Sequence, residues 1–423
     1  MPRFSSFSGA NSFGRTVSRT LKLIQEYTIR SPDAYGVADN VDSYGGYALA
    51  INENYVSAGS FTDDIVLNGP VQVYNINDGT VYNPLLVEGY DTGPELISGS
   101  YGAYAVYQTG DYVLAGAPLS DLQGYGTNSG EVLIFNLDGT YIRSIGPSFN
   151  DQIVVADNQY FGAGMVGQGE KVLISAGGDG KASLFTINST TVGSPPLVPD
   201  VVFLNPSTTP ALFGFANDTM DIDGDIVIIG EESNDEVSAN NGKAHIYDAT
   251  DTNSSTNLIR TLTCPDTAPD QLFGCSVAVN GNYALIGSQR STAGTGSGVA
   301  YLYEVDTGNL LHTFTDPLDQ DLSFFGSTVS MTTDLIFIGS PGTTEPDTST
   351  SVGRVYVYSK LDFSLIKTLI NPNDDPTSSS DQFGTRVEST DTHVAIGAPG
   401  EDNSANAADE NEGRIYVFSI NYT

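Results

Sequence analysis

The chain has 423 residues, of which 51 are acidic and 16 basic, so that its formal net charge is −35. Hydrophobic residues make up 39% of it, and 46 glycines, 23 tyrosines and 19 phenylalanines indicate a folded protein rich in turns and aromatic strands rather than a disordered one. The negative charge excludes nucleic acid as an expected partner, because such binding depends on neutralising phosphates. The sequence contains no apolar run of about 18 residues, so we expect no membrane insertion.

The N-terminal segment differs in composition from the rest of the chain. Residues 1–18 are rich in Ser, Gly, Phe and Arg and contain no acid, and they lack the apolar segment of a secretory signal. We predict an extended arm over 1–18 and a separate domain over 19–423. The arm would contact a partner through phenylalanines in apolar pockets and arginines paired with acids. The proposed anchoring residues are Arg3, Phe4, Phe7, Phe13 and Arg15. A terminal segment without function is the alternative.

From residue 44 onward one pattern recurs seven times. Each unit has an aromatic-glycine step, an alternating run, a short polar turn, an apolar run ending in small residues, a loop, and Gly followed by alternating aromatics. The steps are Tyr44-Gly45, Tyr101-Gly102, Phe161-Gly162, Phe213-Gly214, Phe273-Gly274, Phe325-Gly326 and Phe383-Gly384. Runs such as VYVY at 355–358 are β-branched and aromatic and are bounded by glycine, which is typical of strands. With a fourth short run, exemplified by SLIKTLI at 364–370, each unit contains four strands.

A single four-stranded sheet cannot bury both of its apolar faces, whereas sheets stacked around an axis bury them against each other. The sequence therefore predicts an all-β fold, a seven-bladed β-propeller of four-stranded antiparallel blades. The last unit ends after its third strand, IYVFSINYT, and TLKLIQEYTIRSPD at 20–33 aligns with SLIKTLINPND at 364–374. We predict that Thr20 to Ile29 supplies the outer strand of the last blade and closes the ring.

The FG step, the IGAP or IGSP step and the G-x-V/I-Y-V-Y/F strand resemble the FG-GAP repeat family, which includes the seven-bladed propeller of integrin alpha chains and many bacterial and viral surface proteins. The resemblance covers roughly residues 20–420 and is strongest in units five to seven. It implies a fold rather than a function, since the motif residues are structural. The Phe is expected to pack between neighbouring blades, and the Gly to let two backbones approach closely.

The same resemblance implies a possible cofactor, because many family members carry a D-x-D-x-D-G calcium loop between the first two strands of a blade. Calcium needs about six to eight oxygen ligands. Asp221, Asp223 and Asp225 approximate this loop, although MDIDGDIV is equally typical of a tight Asp-Gly turn. A second candidate set lies in the acidic loop 401–413, for which a solvated surface loop is the alternative. Its members are Asp402, Asp409 and Glu412. No other cofactor is expected.

Catalytic groups find less support in the sequence. His245, His312 and His393 fall in different units, and no serine has a base at a suitable spacing, so we predict that the protein is not an enzyme. Paired carboxylates for glycoside hydrolysis, contributed by loops of different blades, remain an alternative. Cys264 and Cys275 are too few for a disulfide framework. We expect buried free thiols, with one disulfide as the alternative.

The acidic residues concentrate on one side of the predicted ring. In a four-stranded blade the loops between strands two and three and the connections to the next blade lie on one face, which we call the long-loop face. The short turns lie on the opposite, short-turn face. Long, varied loops on a rigid ring are typical binding sites. The candidate binding face comprises Glu231, Glu232, Asp235, Glu236, Asp374, Asp375, Asp402, Asp409 and Glu410. A solvated, salt-adapted surface is the alternative.

An adhesion-type propeller, no apparent secretory signal and a basic arm together favour a virion surface protein, of a bacteriophage in our hypothesis. The arm would fasten it to other virion proteins of the capsid or tail. The propeller would face outward for decoration or for attachment to a host surface receptor or glycan. Two alternatives remain: a glycan-active propeller enzyme, and an extracellular or cell-surface adhesin exported without a Sec signal.

Overall fold

A computed structural model describes residues 21–30, 48–59, 71–85, 104–120, 126–149, 152–153, 156–193, 197–208, 212–290, 296–344, 351–373, 381–401 and 413–422. Their regular secondary structure is almost entirely β-strand. The helical elements among them are one short α-helix, Ser189–Val192, and two 3-10 turns, Gly177–Asp179 and Asn217–Thr219.

Seven antiparallel sheets of four strands each form the blades, which we number from 1 to 7 in the chain order of their first strands. Blade 1 contains β2 (Ala48–Ile51), β3 (Tyr55–Gly59), β4 (Val71–Asn75) and β5 (Val81–Leu85). Blade 2 contains β6 (Ala105–Gln108), β7 (Tyr112–Ala117), β8 (Glu131–Asn136) and β9 (Tyr141–Ile145). A two-stranded hairpin, β10 (Ser148–Phe149) and β11 (Gln152–Ile153), follows it. Blade 3 contains β12 (Phe161–Gln168), β13 (Lys171–Ala176), β14 (Lys181–Thr186) and β15 (Val201–Leu204).

The remaining blades follow the same order. Blade 4 contains β16 (Met220–Asp223), β17 (Ile226–Glu231), β18 (Lys243–Asp248) and β19 (Leu258–Thr263). Blade 5 contains β20 (Phe273–Asn280), β21 (Tyr283–Ser288), β22 (Val299–Glu304) and β23 (Leu310–Thr315). Blade 6 contains β24 (Val329–Met331), β25 (Leu335–Ser340), β26 (Arg354–Ser359) and β27 (Leu365–Ile370). Blade 7 contains β28 (Arg386–Ser389), β29 (His393–Ala398), β30 (Arg414–Tyr422) and, as its outer strand, β1 (Leu21–Arg30).

The blades are arranged in a ring around their first strands. These strands contact each other in the order β2, β6, β12, β16, β20, β24, β28 and back to β2. The buried side chains form seven clusters among the described residues, and each cluster joins two neighbouring blades. The prediction of a seven-bladed all-β propeller is confirmed. Because each apolar sheet face is covered by the next sheet, the core is distributed around the ring rather than collected at its centre.

The N-terminal strand closes this ring. Strand β1 pairs antiparallel with β30 from Leu21 opposite Tyr422 to Arg30 opposite Arg414. The two halves of β1 enter different clusters, since Leu23 packs between blades 6 and 7 and Ile29 packs between blades 7 and 1. A register shift between Gln25 and Tyr27 separates these halves. The predicted closing strand is therefore confirmed, with its bounds displaced by one residue.

The motif residues have the packing roles expected of them where they are described. The phenylalanines of the five described steps are all buried between blades. The glycine of the second strand permits close contact, since a Cβ atom at Gly230 or Gly287 would overlap the backbone oxygen of Gly274 or Gly326 in the next blade. Steps Tyr44-Gly45 and Tyr101-Gly102 lie outside the described residues.

Two further expectations concern the cysteines and the membrane. Cys264 and Cys275 are buried free thiols, which confirms the favoured interpretation over a disulfide. None of the helices in the described ranges has the length and apolar character needed to cross a membrane.

Candidate functional site

A channel along the axis of the ring opens as a cavity on each face. The short-turn cavity has a volume of about 590 Å³ and is lined by the first strands and by the turns that follow them. Its lining residues include six carboxylates and, within the described part of the chain, no Lys, Arg or His. The carboxylates belong to Glu53, Asp218, Asp221, Asp223, Glu388 and Asp391. The channel is therefore acidic on this side.

The long-loop cavity lies at the opposite mouth and has a volume of about 430 Å³. It is lined by loops and strand starts of blades 4 to 7, and its polar groups include both charged and uncharged side chains. Asp218 lines both cavities, whereas Arg386 lines this one and Glu388 lines the other. The three residues consequently lie between the two cavities.

These three residues form a charged cluster that joins opposite sides of the ring. The Arg386 side chain is buried and makes an ion pair with Asp218, which precedes β16 of blade 4. Its Nη2 donates to Glu388 Oε1 at 2.6 Å, and Thr328 donates to Asp218 Oδ1 at 3.3 Å. Burial raises the pKa of Asp218 and of Glu388, although the guanidinium opposes this effect. One cation thus balances two carboxylates at the centre of the channel.

The first candidate calcium set is placed at the short-turn mouth. Asp221 Oδ2 accepts the backbone N–H of Val279 at 2.7 Å, and Asp223 Oδ2 accepts that of Gly281 at 2.7 Å. Both carboxylates therefore join blade 4 to blade 5, whereas Asp225 is exposed at the turn. Gly224 and Asp225 form the two-residue turn between β16 and β17, and calcium binding at this turn stays a prediction. No three His, Cys, Asp or Glu side chains of the described ranges are grouped so as to hold a metal ion.

Burial also changes the pKa of one carboxyl group at the short-turn mouth, that of Asp221. It raises the pKa of Asp221 to about 7, although the N–H groups of Val279 and Ile222 oppose the change, and the carboxylates of Glu388 and Asp223 add to it. The Asp221 carboxyl can therefore gain or lose a proton near neutral pH, which an exposed aspartate does not do.

Glu231 does not belong to the binding face where we placed it. It is fully buried, and its carboxylate accepts hydrogen bonds from Asn205 Nδ2 at 2.7 Å and Ser207 Oγ at 2.5 Å, both in the loop that follows blade 3. His245 Nε2 lies 3.1 Å from Glu231 Oε2. The residue fixes the connection between two blades, and it is unavailable to a partner because it has no surface.

Its neighbours on the candidate face are accessible to different degrees. Glu232 is half-buried and lines the long-loop cavity. Asp235 is exposed and accepts the N–H of Asn240 at 2.7 Å. Glu236 is exposed and pairs with Lys243, and hydrogen bonds from that lysine and from Thr208 lower its pKa to about 2. Of these three residues only Glu232 points to the axis.

The remaining predicted site residues lie outside the described residues. They are the arm residues Arg3, Phe4, Phe7, Phe13 and Arg15 and the loop residues Asp374, Asp375, Asp402, Asp409, Glu410 and Glu412.

Glu401 is a buried acid whose role the sequence reasoning missed. Both of its oxygens accept from the Tyr416 hydroxyl, at 2.8 and 2.7 Å, and Arg414 Nη1 lies 2.7 Å from Oε1. Burial raises its pKa to about 7 against the effects of those two partners. Like Glu231, it is a buried carboxylate at the base of a long loop, where it is surrounded by donors.

The central cluster was missed as well, although the sequence contains a signal for it. The first strands of a propeller line its axis, so a charged residue in such a strand must meet charges from other blades. Strand β28 begins Arg-Val-Glu, whereas the first strands of blades 1 and 2 read ALAI and AVYQ. That contrast predicts a charged centre, but it does not identify Asp218 as the partner of Arg386.

Comparison with protein families agrees with this architecture. The model of the FG-GAP repeat matches residues 257–303, which run from the outer strand of blade 4 to the third strand of blade 5 and include the Phe273-Gly274 step. One part of this chain therefore matches the FG-GAP repeat. The match lies in the region where the resemblance of the sequence is strongest, and the other blades extend the same strand pattern around the ring. No curated protein matches the chain.

Proposed function

We propose that this FG-GAP repeat propeller is a non-enzymatic surface component of a virion, of a bacteriophage, fastened by its N-terminal arm and exposing its long-loop face for attachment or decoration. A binding or structural role is what a propeller with an FG-GAP repeat suggests. The proposal adds three things to this role: a location on a virion, a contact made by the arm, and a function in attachment.

The position of Leu21 is the observation that carries the proposal. Residues 1–18 precede this residue, which pairs with Tyr422 at the start of β1. Leu21 lines a groove together with Gly281, Thr333 and Asp362, all of which lie in short turns. Leu21 therefore lies at the rim of the short-turn face, and an arm that precedes it would leave the propeller there. A partner held by the arm would contact that side, and the long-loop face would point away from it.

The chemistry of the described residues favours binding over catalysis. His245 lies fully buried in blade 4, His312 packs against Phe314 and Phe363, and His393 lies beside Thr392 in blade 7. The buried acid Glu231 is committed to hydrogen bonds within the fold. A general base needs a reachable substrate proton, which the buried side chains of His245 and Glu231 lack.

The test is assembly. The full chain and a variant lacking residues 1–18 would be co-expressed with the capsid and tail proteins encoded beside it, and incorporation would be measured by sedimentation of assembled particles. We expect the full chain to sediment with particles and the shortened chain to remain free, with equal melting temperatures for the two. A matched control replaces only Phe4, Phe7 and Phe13 by Ala.

Two results would contradict the proposal. One is incorporation of the shortened chain at the level of the full chain. The other is protection of the long-loop face in particles, measured as loss of protease cleavage at a site inserted between Thr344 and Ser351 while the free protein is cleaved.

A further inference from the structure

The long-loop cavity has the position and size of a small-molecule site. It lies on the long-loop face beside the central charged cluster, and its volume of about 430 Å³ falls within the usual range of ligand pockets, roughly 300 to 1,000 Å³. Four consecutive blades contribute to its wall, so the rigid ring fixes its shape. Sites built on rigid elements hold ligands with less loss of conformational entropy.

The floor of this cavity selects against anions. Arg386 is the cation that lines it, and its charge is matched by Asp218 and Glu388. A ligand carboxylate or phosphate would find no uncommitted positive charge among the described lining residues. It would also face the carboxylates of Asp218 and Glu232, and like charges at short range repel in a partly desolvated site.

Glu232 differs sharply from the residue before it. Glu231 is surrounded by donors from Asn205, Ser207 and His245, whereas the Glu232 carboxylate has no hydrogen bond or ion pair with any described residue. Glu231 is the last residue of β17 and is buried in the core, whereas Glu232 begins the turn that follows and lines the cavity. A half-buried carboxylate without donors is costly unless a ligand or water supplies them.

The rest of the wall is mainly uncharged. Gln289 lines it with a side-chain amide that makes no hydrogen bond to a described residue. The hydroxyls of Ser351 and Thr385 lie in the same wall, and the half-buried ring of Phe324 adds an apolar surface. An amide both donates and accepts, a hydroxyl does the same, and an aromatic ring covers an apolar ligand face.

We propose that the long-loop cavity binds a neutral sugar unit, with Glu232 and Gln289 as its hydrogen-bonding groups and Phe324 as its apolar surface. A sugar ring offers hydroxyl donors to the carboxylate, hydroxyl acceptors to the amide and an apolar C–H face to the ring. The inference rests on the proposed attachment function and names the ligand class of the exposed face.

A neutral sugar fits better than a simple amine. Burial and the neighbouring Asp218 raise the pKa of Glu232, which weakens its pairing with a cation, whereas a hydroxyl bonds to either protonation state. The side-chain amide N–H groups of Gln289 would remain unpaired by an ammonium group, which has no acceptor.

The test uses the purified full chain and ligand-detected NMR, supported by calorimetry. The probes are glucose, galactose, mannose, N-acetylglucosamine and N-acetylgalactosamine, with N-acetylneuraminic acid as the anion and butylamine as the cation, each at up to about 10 mM so that millimolar affinities are detected. We expect at least one neutral sugar to bind and the anion and the amine to fail.

Two variants locate the site. Glu232→Gln should weaken sugar binding by about tenfold, since a hydrogen bond to a charged group contributes about 1.5 kcal/mol or more. Gln289→Ala should weaken it by about fivefold, since it removes a neutral hydrogen bond worth about 1 kcal/mol. Both should fold normally, because neither side chain is bonded to a described residue. The matched control is Asp306→Asn, which removes the same charge from an exposed turn of the short-turn face and should bind like the parent.

Each outcome is decisive. No neutral sugar bound, binding of the amine or the anion alone, or equal affinity in Glu232→Gln and Gln289→Ala would overturn the inference. Particle incorporation is measured separately and depends on residues 1–18, so a sugar that binds to a protein absent from particles would refute the proposed function and leave this site standing.

Discussion

Arg386, the first residue of β28, forms an ion pair with Asp218 at the entrance to β16, so that blades 7 and 4 are joined across the centre of the ring. The other contacts between first strands link neighbouring blades. This pair instead spans the axis, and Glu388 on the same inner strand shares the guanidinium. It therefore both separates the two cavities and ties together blades that share no apolar cluster among the described residues.

Removing the arginine should destabilise the fold. Arg386→Met leaves Asp218 and Glu388 without their cation, and breaking a buried ion pair by removing one partner costs about 3 to 5 kcal/mol. Denaturant unfolding measures the change in the free energy of unfolding. The triple variant Arg386→Met, Asp218→Asn, Glu388→Gln should recover much of the loss, since it removes the unpaired charges as well.

A surface ion pair supplies the control. Arg290 Nη2 lies 3.1 Å from Asp266 Oδ2, and both side chains are partly exposed. Arg290→Met should cost less than about 1 kcal/mol. An equal loss for the two arginines would contradict a special role for the central cluster.

Close backbone contact between blades should make one glycine irreplaceable. A methyl group at Gly230 would overlap the carbonyl oxygen of Gly274 in the next blade, and backbone atoms cannot move aside as a side chain does. We expect Gly230→Ala to destabilise the protein by about 2 to 3 kcal/mol, a typical cost of overpacking. Gly110→Ala is the control, because no atom lies within 4 Å of the added methyl group. Equal melting temperatures for the two variants would show that the contact is looser than described.

More of the fold than of the candidate site could be predicted from the sequence, for a physical reason. Strand pattern and glycine steps recur in every unit, so seven repeats carry the same information, and even the closing strand was displaced by only one residue at Leu21. The site depends instead on single side chains. Glu231 and Glu232 are adjacent and chemically identical, yet one is fully buried and the other lines a cavity. Which of them is buried depends on where β17 ends, at Glu231, and on the path of the turn that follows, and composition does not reveal either.

The pairing across the axis is unpredictable for a related reason. A charged first strand indicates that Arg386 meets some carboxylate in the channel. The first strands converge from all sides, however, and the partner, Asp218, lies before a strand rather than within one. Which carboxylate lies next to Arg386 depends on the orientation of each blade in the ring, which the sequence does not show.

The closing strand should be essential for a folded monomer. Deletion of residues 1–30 removes β1, exposes the edge of β30 and uncovers the clusters that contain Leu23 and Ile29. We expect the product to be unfolded or associated, measured by circular dichroism and size-exclusion chromatography, because an open sheet edge pairs with other chains. Deletion of residues 1–18 should leave a monomer that melts like the parent.

Point variants in β1 test whether the burial of its side chains stabilises the fold, without changing the length of the chain. Leu23→Ala should cost about 2 to 5 kcal/mol, whereas Ile24→Ala should change the free energy of unfolding by less than about 0.5 kcal/mol. Leu23 is 8% exposed and Ile24 is 51% exposed, so the two side chains of one strand differ mainly in burial. A monomeric, fully folded product of the 1–30 deletion, or equal losses for these two variants, would contradict closure by β1.

The protein should be more stable at mildly acidic than at alkaline pH. Burial raises the pKa of Asp221 and of Glu401 to about 7, whereas in the unfolded chain both carboxyls return to ordinary values near 4. Between about pH 4 and about pH 7 the folded state therefore binds more protons, so this stabilisation is present at low pH and is lost as the pH rises through about 7. Glu236 acts in the opposite direction, but only below about pH 4.5, because its pKa is lowered to about 2.

We accordingly expect a higher melting temperature at about pH 5 than at about pH 8. Repulsion among the acidic groups of a chain of net charge −35 also lowers its stability as the pH rises. Variants must therefore separate this general effect from that of the two buried carboxyls. Asp221→Asn and Glu401→Gln remove one titrating carboxyl each and should reduce the difference in melting temperature between the two pH values. Asp225→Asn removes one charge from an exposed turn and should leave most of that difference. If all three variants reduced it equally, the effect would belong to overall charge, and the two buried carboxyls would have no particular part in it.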